Sequence, residues 1–520
     1  MAFYSEKLEN ARKYESENVA DILKEEKPSF HVTPPVGWVN DPNGFSCYNG
    51  EYHLFYQYHP YSTQWGPMHW GHAKSKDLVK WEQLPCALAP DEEYDGQGCF
   101  SGTAVQDGDR HILMYTSVVD KEQEDGSRLI RQTQSIAVGD GENYEKLPNN
   151  PVILADTLPE GSSPVDFRDP KIWKDGDKFY AVVGSLAADG SGQLALFSAD
   201  TVDNWKFEKI LDASKNEYGK MWECPDFFAL DGRQVLIVSP QFMESRGLEI
   251  HNGNNVLYFI GDYDREKLEF TRKEGYQVDY GMDFYAPETV KSMDGRQILV
   301  GWLQNWDNYL TPGTQKWSGM MTIPRELSIR DEKLIQVPVR ELEAYRGNMV
   351  EKKNIRVCGG SFVPGRDAVC ADSGECVQAK EGCGKLEIEG VRGRQFDLTV
   401  DVQAGDYERF ELDVACGNGH KTMIYYDAAA SVLTVDRSCS GIQRDILCSR
   451  SAYVRPQDGK LRLRILMDKM TLEIFVNDGE QALTNLVYTE EEADRILFSS
   501  KKEAVFDVEF YELLADKKDM

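Results

Sequence analysis

Five turns of one kind recur along residues 30–340, and they constrain the fold more than any other feature of the sequence. Each is an Asx-Gly pair followed, after a short polar step, by an apolar run. The pairs are Asn49-Gly50, Asp107-Gly108, Asp175-Gly176, Asp231-Gly232 and Asp294-Gly295, at intervals of 58, 68, 56 and 63 residues. Asx-Gly pairs favour tight hairpins because both residues adopt positive φ easily. A hairpin repeated at this interval predicts a β-propeller built from one small antiparallel sheet per blade, and five repeats predict five blades.

A chemically useful residue precedes each of these turns. Asp41, Ser101, Asp169, Glu223 and Tyr285 lie 8, 6, 6, 8 and 9 residues before successive Asx-Gly pairs. Equivalent positions in propeller blades converge on the central axis. The pattern therefore predicts one funnel lined by three carboxylates, a hydroxyl and a phenol.

Asp41 lies in the stretch Trp38-Val39-Asn40-Asp41-Pro42-Asn43-Gly44. Its Asn, Asp, Pro and Gly residues each favour turn geometry. We expect a bent segment that directs Asp41 at the axis, with Asn40 placed to hold a ligand.

Two carboxylates that flank a glycosidic bond are the usual minimum for hydrolysing it. The amides and N–H groups around Asp41 favour its ionised form, whereas Trp222, Cys224 and Pro225 give Glu223 an apolar setting that disfavours charge. Asp41 therefore suits attack on the anomeric carbon, and Glu223 suits proton donation. Asp169 would hold sugar hydroxyls, and the adjacent Arg168 would keep Asp169 ionised or bind another hydroxyl.

These residues stand in motifs through which the chain resembles glycoside hydrolase family 32. The motifs are His31-x-x-Pro34 followed by Val39-Asn40-Asp41-Pro42-Asn43-Gly44, Phe55-Tyr56-Gln57, Phe100-Ser101-Gly102, Arg168-Asp169-Pro170, Glu223-Cys224-Pro225 and Glu473-Ile474-Phe475-Val476-Asn477-Asp478-Gly479. The resemblance implies a β-fructosidase that retains anomeric configuration, with a five-bladed propeller followed by a β-sandwich. It implies Asp41 as nucleophile, Glu223 as general acid and then base, and Asp169 as transition-state stabiliser. The expected substrate-binding residues are Trp38, Asn40, Gln57, Trp65, Phe100, Ser101, Arg168 and Trp302.

The expected organisation is all-β after an N-terminal helical extension over residues 1–29, with an amphipathic helix at 2–26. The propeller is predicted at 30–338, a short helical connector at 339–351 and the sandwich at 352–520. Alternating runs at 385–389, 461–466 and 471–476 are typical of sandwich strands. No low-complexity linker separates the two parts, so a fixed interface is expected. The oligomeric state stays open, and a dimer through the sandwich is one alternative.

The net charge of -29 argues against nucleic acid or an anionic membrane as partner. No run approaches the ~18 apolar residues of a membrane helix. Charges interrupt the N-terminus where a secretion signal would be apolar, so a cytoplasmic location with free thiols is expected. Neither the irregular set Cys358, Cys370, Cys376 and Cys383 nor the histidines at 53, 59, 69 and 72 has metal-ligand spacing. On alternating strands these histidine side chains should mostly point apart. We therefore expect no metal and no cofactor.

The first functional hypothesis is hydrolysis of sucrose and short fructo-oligosaccharides. A sucrose-6-phosphate hydrolase would need a cation beside the leaving glucosyl unit, and Trp65-Gly66-Pro67-Met68-His69-Trp70 offers only a histidine. A fructosyltransferase would keep the same three carboxylates and stays open. A non-catalytic carbohydrate-binding propeller is disfavoured, because binding alone does not require a protonated glutamate.

Overall fold

The computed structural model describes residues 5–22, 27–123, 125–308, 311–358, 385–442 and 446–515. Leu23 of the predicted helix at 2–26 lies outside these ranges, as do Cys370, Cys376 and Cys383. Helix α1 (Glu6–Asn18) is capped by Ser5, whose Oγ accepts a hydrogen bond of 3.1 Å from the Leu8 N–H. It is shorter than the predicted 2–26, because a 3₁₀ turn at Val19–Asp21 follows it. Among the described helices, none combines the length and the apolar character needed to span a bilayer.

The next part of the chain forms five consecutive sheets. The first contains β1 (Gly37–Tyr48), β2 (Glu51–His59), β3 (His69–Ser75) and β4 (Trp81–Leu88). The second contains β5 (Gly98–Asp107), β6 (Arg110–Glu122), β7 (Arg128–Gly139) and β8 (Tyr144–Lys146). A 3₁₀ turn at Ala155–Thr157 leads to the third, with β9 (Phe167–Asp175), β10 (Lys178–Leu186), β11 (Gly192–Ala199) and β12 (Lys206–Ala213).

The fourth sheet contains β13 (Trp222–Leu230), β14 (Arg233–Pro240), β15 (Leu257–Asp264) and β16 (Glu269–Gln277). Strands β17 (Tyr285–Lys291) and β18 (Gln297–Trp302) begin the fifth. The two-residue β19 (Trp317–Ser318) does not join the fifth sheet but pairs in parallel with β1 of the first. Strands β20 (Arg325–Arg330) and β21 (Lys333–Pro338) complete the fifth sheet.

Every predicted Asx-Gly turn joins the first strand of one sheet to its second strand. The five glycines have φ between 63° and 90°, the region that glycine adopts without steric cost. The first strands also contact one another in a closed cycle: β1 with β5, β5 with β9, β9 with β13, β13 with β17, and β17 with β1. The residues in front of the turns are thereby gathered around one axis.

The first strands are bulged where the site residues lie. Pairing shifts register between Val39 and Pro42 in β1, around Ser101 in β5 and around Asp169 in β9. Similar shifts follow Glu223 in β13 and Tyr285 in β17. Bulges re-aim side chains and are common beside active sites.

The turn-favouring residues at positions 40–44 do not reverse the chain, but they bend it, as the sequence predicts. The stretch is strand, interrupted by two register shifts, because bulges rather than a chain reversal absorb its turn-favouring residues. Gly44 takes φ 54° at the second shift.

Two further sheets form the C-terminal part, after a 3₁₀ turn at Arg340–Tyr345. One has the order β22-β32-β23-β28-β29-β30 and the other β27-β26-β25-β24-β31. The strands are β22 (Arg346–Val357), β23 (Gln395–Gln403), β24 (Arg409–Gly417), β25 (His420–Asp427), β26 (Val432–Asp436), β27 (Ser449–Tyr453), β28 (Lys460–Asp468), β29 (Thr471–Val476), β30 (Gln481–Leu486), β31 (Arg495–Lys501) and β32 (Ala504–Leu513).

Apolar side chains from both of these sheets share one buried cluster, so the sheets pack face to face. The predicted strands at 461–466 and 471–476 are present within β28 and β29. Residues 385–389 form no strand: Leu386 makes a single bridge to Phe498, and a turn at Gly390 follows. Strand β22 begins at Arg346, inside the predicted connector.

The two parts are joined by buried polar contacts. The ring nitrogens of His31 lie 2.9 Å from Asp468 Oδ2 and 3.1 Å from Glu473 Oε1. Arg325 donates to Glu473 Oε2 at 2.6 Å and to Asp279 Oδ2 at 2.9 Å. A shared apolar cluster that includes residues of both parts surrounds this network. The interface is thus extensive and buried, as the lack of a linker predicts.

The histidines do not all point apart. His53 Nδ1 lies 2.9 Å from His72 Nε2, and Phe55 stacks on His72 at 3.9 Å. Burial lowers the pKa of His53 to about 4 and that of His72 well below its usual range. These rings therefore act as neutral core residues, and the described residues contain no group of three or more potential metal ligands.

Candidate active site

A cavity of about 540 Å³ opens near the beginnings of the first strands. First-strand residues form its floor, and residues of later strands and loops form its rim. It is lined by Asn40, Asp41, Gln57, Trp65, Phe100, Ser101, Gln132, Val165, Asp166, Arg168, Asp169, Glu223, Gln241, Phe242, Asn254 and Trp306. The three predicted catalytic carboxylates are thus brought together in one pocket.

Asp41 is held from both sides. Ser101 Oγ donates to Oδ2 at 2.6 Å, and Asn40 Nδ2 donates to Oδ1 at 3.1 Å. Burial, with a smaller contribution from the charge of Glu223, raises the pKa of Asp41 to about 6, against the hydrogen bond from Ser101. The expectation of a readily ionised Asp41 is wrong in direction, because burial outweighs the donors that the sequence places around it.

Both oxygens of Glu223 accept hydrogen bonds. Arg168 donates to Oε1 through Nε at 3.1 Å and Nη2 at 3.0 Å, and Tyr285 Oη donates to Oε2 at 2.6 Å. Arg168 Nε is 4.0 Å from the nearer oxygen of Asp169. Arg168 therefore pairs mainly with Glu223, rather than with its sequence neighbour. Tyr285, which the repeat pattern singled out, contacts the carboxylate expected to act as acid.

Asp169 and Cys224 lie at bulges with positive φ, 64° and 45°, a conformation that costs about 1–3 kcal/mol for residues with a side chain. The Asp169 N–H donates to Thr116 Oγ1 at 2.9 Å, and the Cys224 N–H donates to Asp169 Oδ2 at 3.1 Å. The Cys224 thiol also lies 3.6 Å from Asp41 Oδ2. Burial, together with the charges of Glu223 and Asp41, raises the pKa of Asp169 above its usual range, against the opposing charge of Arg168.

Six of the eight predicted substrate-binding residues line the cavity. They are Asn40, Gln57, Trp65, Phe100, Ser101 and Arg168. Gln57 is oriented by a hydrogen bond of 2.9 Å to the carbonyl of Cys99, and Trp65 meets Phe100 edge to face at 6.0 Å.

The prediction that Trp38 and Trp302 contact substrate is not met, because both are fully buried behind the pocket wall. Trp38 Nε1 donates to Asn40 Oδ1 at 2.8 Å, so it orients a pocket residue instead. Trp306 is the tryptophan that reaches the cavity in this region. Its ring packs against Trp302 at 4.8 Å and stacks on Trp38 at 6.2 Å.

Sequence reasoning missed the residues of the rim. These are Gln132, Val165, Asp166, Gln241, Phe242, Asn254 and Trp306. All seven lie outside the first strands, in segments whose spacing from the Asx-Gly turns varies between sheets. Phe242, for example, lies two residues after the end of β14, and no pattern in the sequence marks that position as part of a pocket.

The geometry is that of an acid-base site for glycosidic bonds. One carboxylate has oxygens oriented by neutral donors, a second interacts with a cation and a phenol, and a third lines the same cavity. Paired carboxylates in one pocket are the groups that a glycoside hydrolase requires.

Comparison with known proteins identifies the family. Residues 31–338 match the glycosyl hydrolases family 32 N-terminal domain, and residues 370–512 match the family 32 C-terminal domain. The chain belongs to glycosyl hydrolase family 32. It is 35% identical over 518 residues to a sucrose-6-phosphate hydrolase of Zymomonas mobilis, covering 96% of this chain and 94% of that protein. It is 34% identical over 480 residues to a raffinose invertase of Escherichia coli, covering 92% and 93%.

Among solved structures, the chain resembles the GH32 beta-fructofuranosidase BmSUC1 of Bombyx mori, with a TM-score of 0.80 and 32% identity over 97% of this chain and 98% of that one. A variant of that enzyme has been solved in complex with sucrose. The sucrose-6-phosphate hydrolase of Lactobacillus gasseri gives a TM-score of 0.79 at 27% identity, covering 99% and 97%.

Proposed function

We propose that this protein is a retaining β-fructofuranosidase that hydrolyses the terminal non-reducing fructosyl bond of sucrose and short fructo-oligosaccharides. The observation that carries the proposal is the convergence of Asp41, Asp169 and Glu223, from three separate sheets, on one cavity. The family membership and the sucrose complex of a relative support the same substrate.

In the proposed reaction, Asp41 attacks the anomeric carbon of the fructosyl unit while Glu223 gives a proton to the glycosidic oxygen, so that glucose leaves. Water, deprotonated by Glu223, then cleaves the fructosyl ester and returns Asp41 to its carboxylate. Asp169 binds ring hydroxyls as positive charge develops. Ser101 and Asn40 support this scheme, since each holds one oxygen of Asp41 and so fixes its orientation.

The fructosyl unit is proposed to contact Asn40, Gln57, Trp65, Phe100, Ser101 and Arg168. Trp38 acts through Asn40. Residues 30–338 are proposed to be a five-bladed propeller, which the closed cycle of five first strands supports, and residues 352–520 a sandwich. A cytoplasmic location stays a prediction, for which the buried free thiols of Cys86, Cys99 and Cys416 give support.

Sucrose-6-phosphate is the second candidate substrate, because several relatives are named for its hydrolysis. The described lining favours the unphosphorylated sugar. Arg168 is the cation there, and its guanidinium already contacts Glu223 and Asp166. The half-buried carboxylate of Asp166 would repel a phosphate.

The deciding experiment compares kcat/KM for sucrose, sucrose-6-phosphate, 1-kestose and inulin. We expect sucrose to give the highest value, with free glucose and fructose as products. Asp41→Asn is the matched inactive control. A value for sucrose-6-phosphate at least tenfold above that for sucrose would transfer the proposal to the phosphorylated sugar, and lengthening oligomers at low sucrose would indicate a transferase.

A further inference from the structure

Phe242 combines three features at the cavity rim. Its backbone has φ 55°, its side chain is 70% exposed, and it lines the cavity that contains the catalytic carboxylates. Positive φ is sterically unfavourable for a bulky side chain. Because the ring is exposed, it adds little hydrophobic stabilisation to the fold. The fold itself therefore does not explain why phenylalanine occupies this position.

The backbone on either side of Phe242 is fixed by hydrogen bonds. The Gln241 N–H donates to the Met221 carbonyl at 3.0 Å, and the Gln241 carbonyl accepts from the Lys220 N–H at 2.8 Å. Met243, which is buried, exchanges hydrogen bonds of 2.8 and 3.0 Å with Gly253. These contacts impose the left-handed conformation, which glycine would adopt without strain. Strain of this kind is concentrated at ligand-binding positions.

The surroundings of Phe242 indicate what its ring would bind. Trp65 and Trp306, 49% and 36% exposed, are the other large exposed aromatics among the described lining residues. Gln241 and Asn254 add amides that suit hydroxyl groups. The catalytic carboxylates come from the floor, as do four of the six predicted fructose ligands that line the cavity, Asn40, Phe100, Ser101 and Arg168. The rim is therefore available to the group attached to fructose.

We propose that Phe242 is a specificity-determining residue that binds the leaving sugar, with its ring packed against the apolar C–H face of a neutral pyranosyl unit. This proposal rests on the proposed fructosidase function and deepens it. An aromatic face offers a flat apolar surface to a six-membered sugar ring. Phe242 thereby favours substrates with a pyranosyl leaving group over those with a small one.

The test compares sucrose with methyl β-D-fructofuranoside, whose leaving group is too small to reach the rim. In Phe242→Gly we expect kcat/KM for sucrose to fall about tenfold, mainly through KM, because the lost contact exists in ground state and transition state alike. The value for the methyl fructoside should stay within about twofold of the wild type. Phe242→Tyr is the matched control and should retain sucrose activity.

Thermal unfolding separates this role from a structural one. Phe242→Gly should have a Tm at or above that of the wild type, because glycine relieves the strain. A loss of activity equal on both substrates, or no loss on sucrose, would overturn the proposal. Wild-type enzyme inactive on both fructosides would refute the fructosidase function itself. In that case calorimetric titration with methyl α-D-glucopyranoside tests the rim alone. An affinity of Phe242→Gly equal to that of the wild type would reject the proposal that Phe242 binds a pyranosyl unit.

Discussion

Tyr285 Oη lies 2.6 Å from Glu223 Oε2 and 3.0 Å from the carbonyl oxygen of Ser239. The phenol carries one proton, so it donates to one of these oxygens at a time. When Glu223 is ionised, Tyr285 donates to it. When Glu223 is protonated on Oε2, its O–H donates to the phenol oxygen and the phenol donates to Ser239. Tyr285 can therefore hold Glu223 in one position through both halves of a double displacement.

Tyr285→Phe removes this contact while keeping the ring. We expect kcat for sucrose to fall about 10- to 100-fold, because a hydrogen bond to a charged group is worth about 1.5–3 kcal/mol, while KM changes little. Steady-state kinetics on sucrose measure kcat and KM separately. An increase in KM with unchanged kcat would show that Tyr285 binds substrate instead of positioning Glu223.

Glu223→Ala should separate proton donation from nucleophilic attack. The variant should lose activity on sucrose about 10²- to 10⁴-fold, the usual contribution of general acid catalysis. The loss should be much smaller on an aryl fructoside, whose leaving group departs without protonation. Assays on both substrates at one pH test this, with Glu223→Gln as the isosteric control. Equal losses on the two substrates would remove Glu223 from the acid role.

The sequence predicts most of this site because the catalytic side chains and the repeated Asx-Gly turns belong to the same first strands. The Asx-Gly pairs are local signals, and each fixes the end of a first strand. The distances from Asp41, Asp169 and Glu223 to those ends then place the side chains near one axis. The same spacing predicts that Tyr285 lies in this group.

Other features depend on contacts that one sequence does not reveal. The bulges at Asp41 and Asp169 arise from pairing with the neighbouring strand. Trp302 and Trp306 are four residues apart and both pack against Trp38, so nothing in the sequence shows that Trp306 is the one that reaches the cavity. Burial likewise reverses the expected pKa shift of Asp41, since amide neighbours are visible in the sequence and loss of solvent is not.

Asp41→Asn should abolish turnover and stabilise the fold at neutral pH. The pKa of Asp41 is raised to about 6 in the folded protein, so the native state binds this proton more tightly than the unfolded chain does. Stability therefore falls as pH rises from about 4 to about 6, and the asparagine variant avoids that loss. Thermal unfolding should show a higher Tm than wild type at pH 7.5 and an equal Tm near pH 4. Turnover above about 0.1% of wild type would remove Asp41 as nucleophile.

Lys171 organises a second layer of charge beneath the carboxylates. Its Nζ lies 3.2 Å from Asp226 Oδ2 and 3.1 Å from Glu288 Oε1, and donates to the Thr289 carbonyl at 2.7 Å. Lys171→Met leaves two buried carboxylates without their cation, so we expect a loss of about 3–5 kcal/mol in the free energy of unfolding. Urea denaturation measures it.

The pH dependence identifies the cause of that loss. Burial raises the pKa of Glu288 to about 7, and Lys171 opposes this shift. Without the lysine, the glutamate binds its proton more tightly, so the deficit of Lys171→Met should be larger at pH 8 than at pH 5. The double variant with Glu288→Gln should recover part of the stability. A deficit independent of pH would indicate lost packing instead.

His31 should make the junction between the five sheets of residues 37–338 and the two C-terminal sheets sensitive to alkaline pH. Burial alone would lower its pKa, but hydrogen bonds to Asp468 and Glu473 outweigh burial and raise the pKa to about 9. A raised histidine pKa contributes stability that is fully present below about pH 6.5 and is lost as pH rises through about 9. His31→Gln keeps a polar side chain but carries no charge. Its Tm should lie several degrees below that of the wild type at pH 6, and the two values should converge near pH 10. A constant difference from pH 6 to pH 10 would show that His31 contributes by packing and not by its charge.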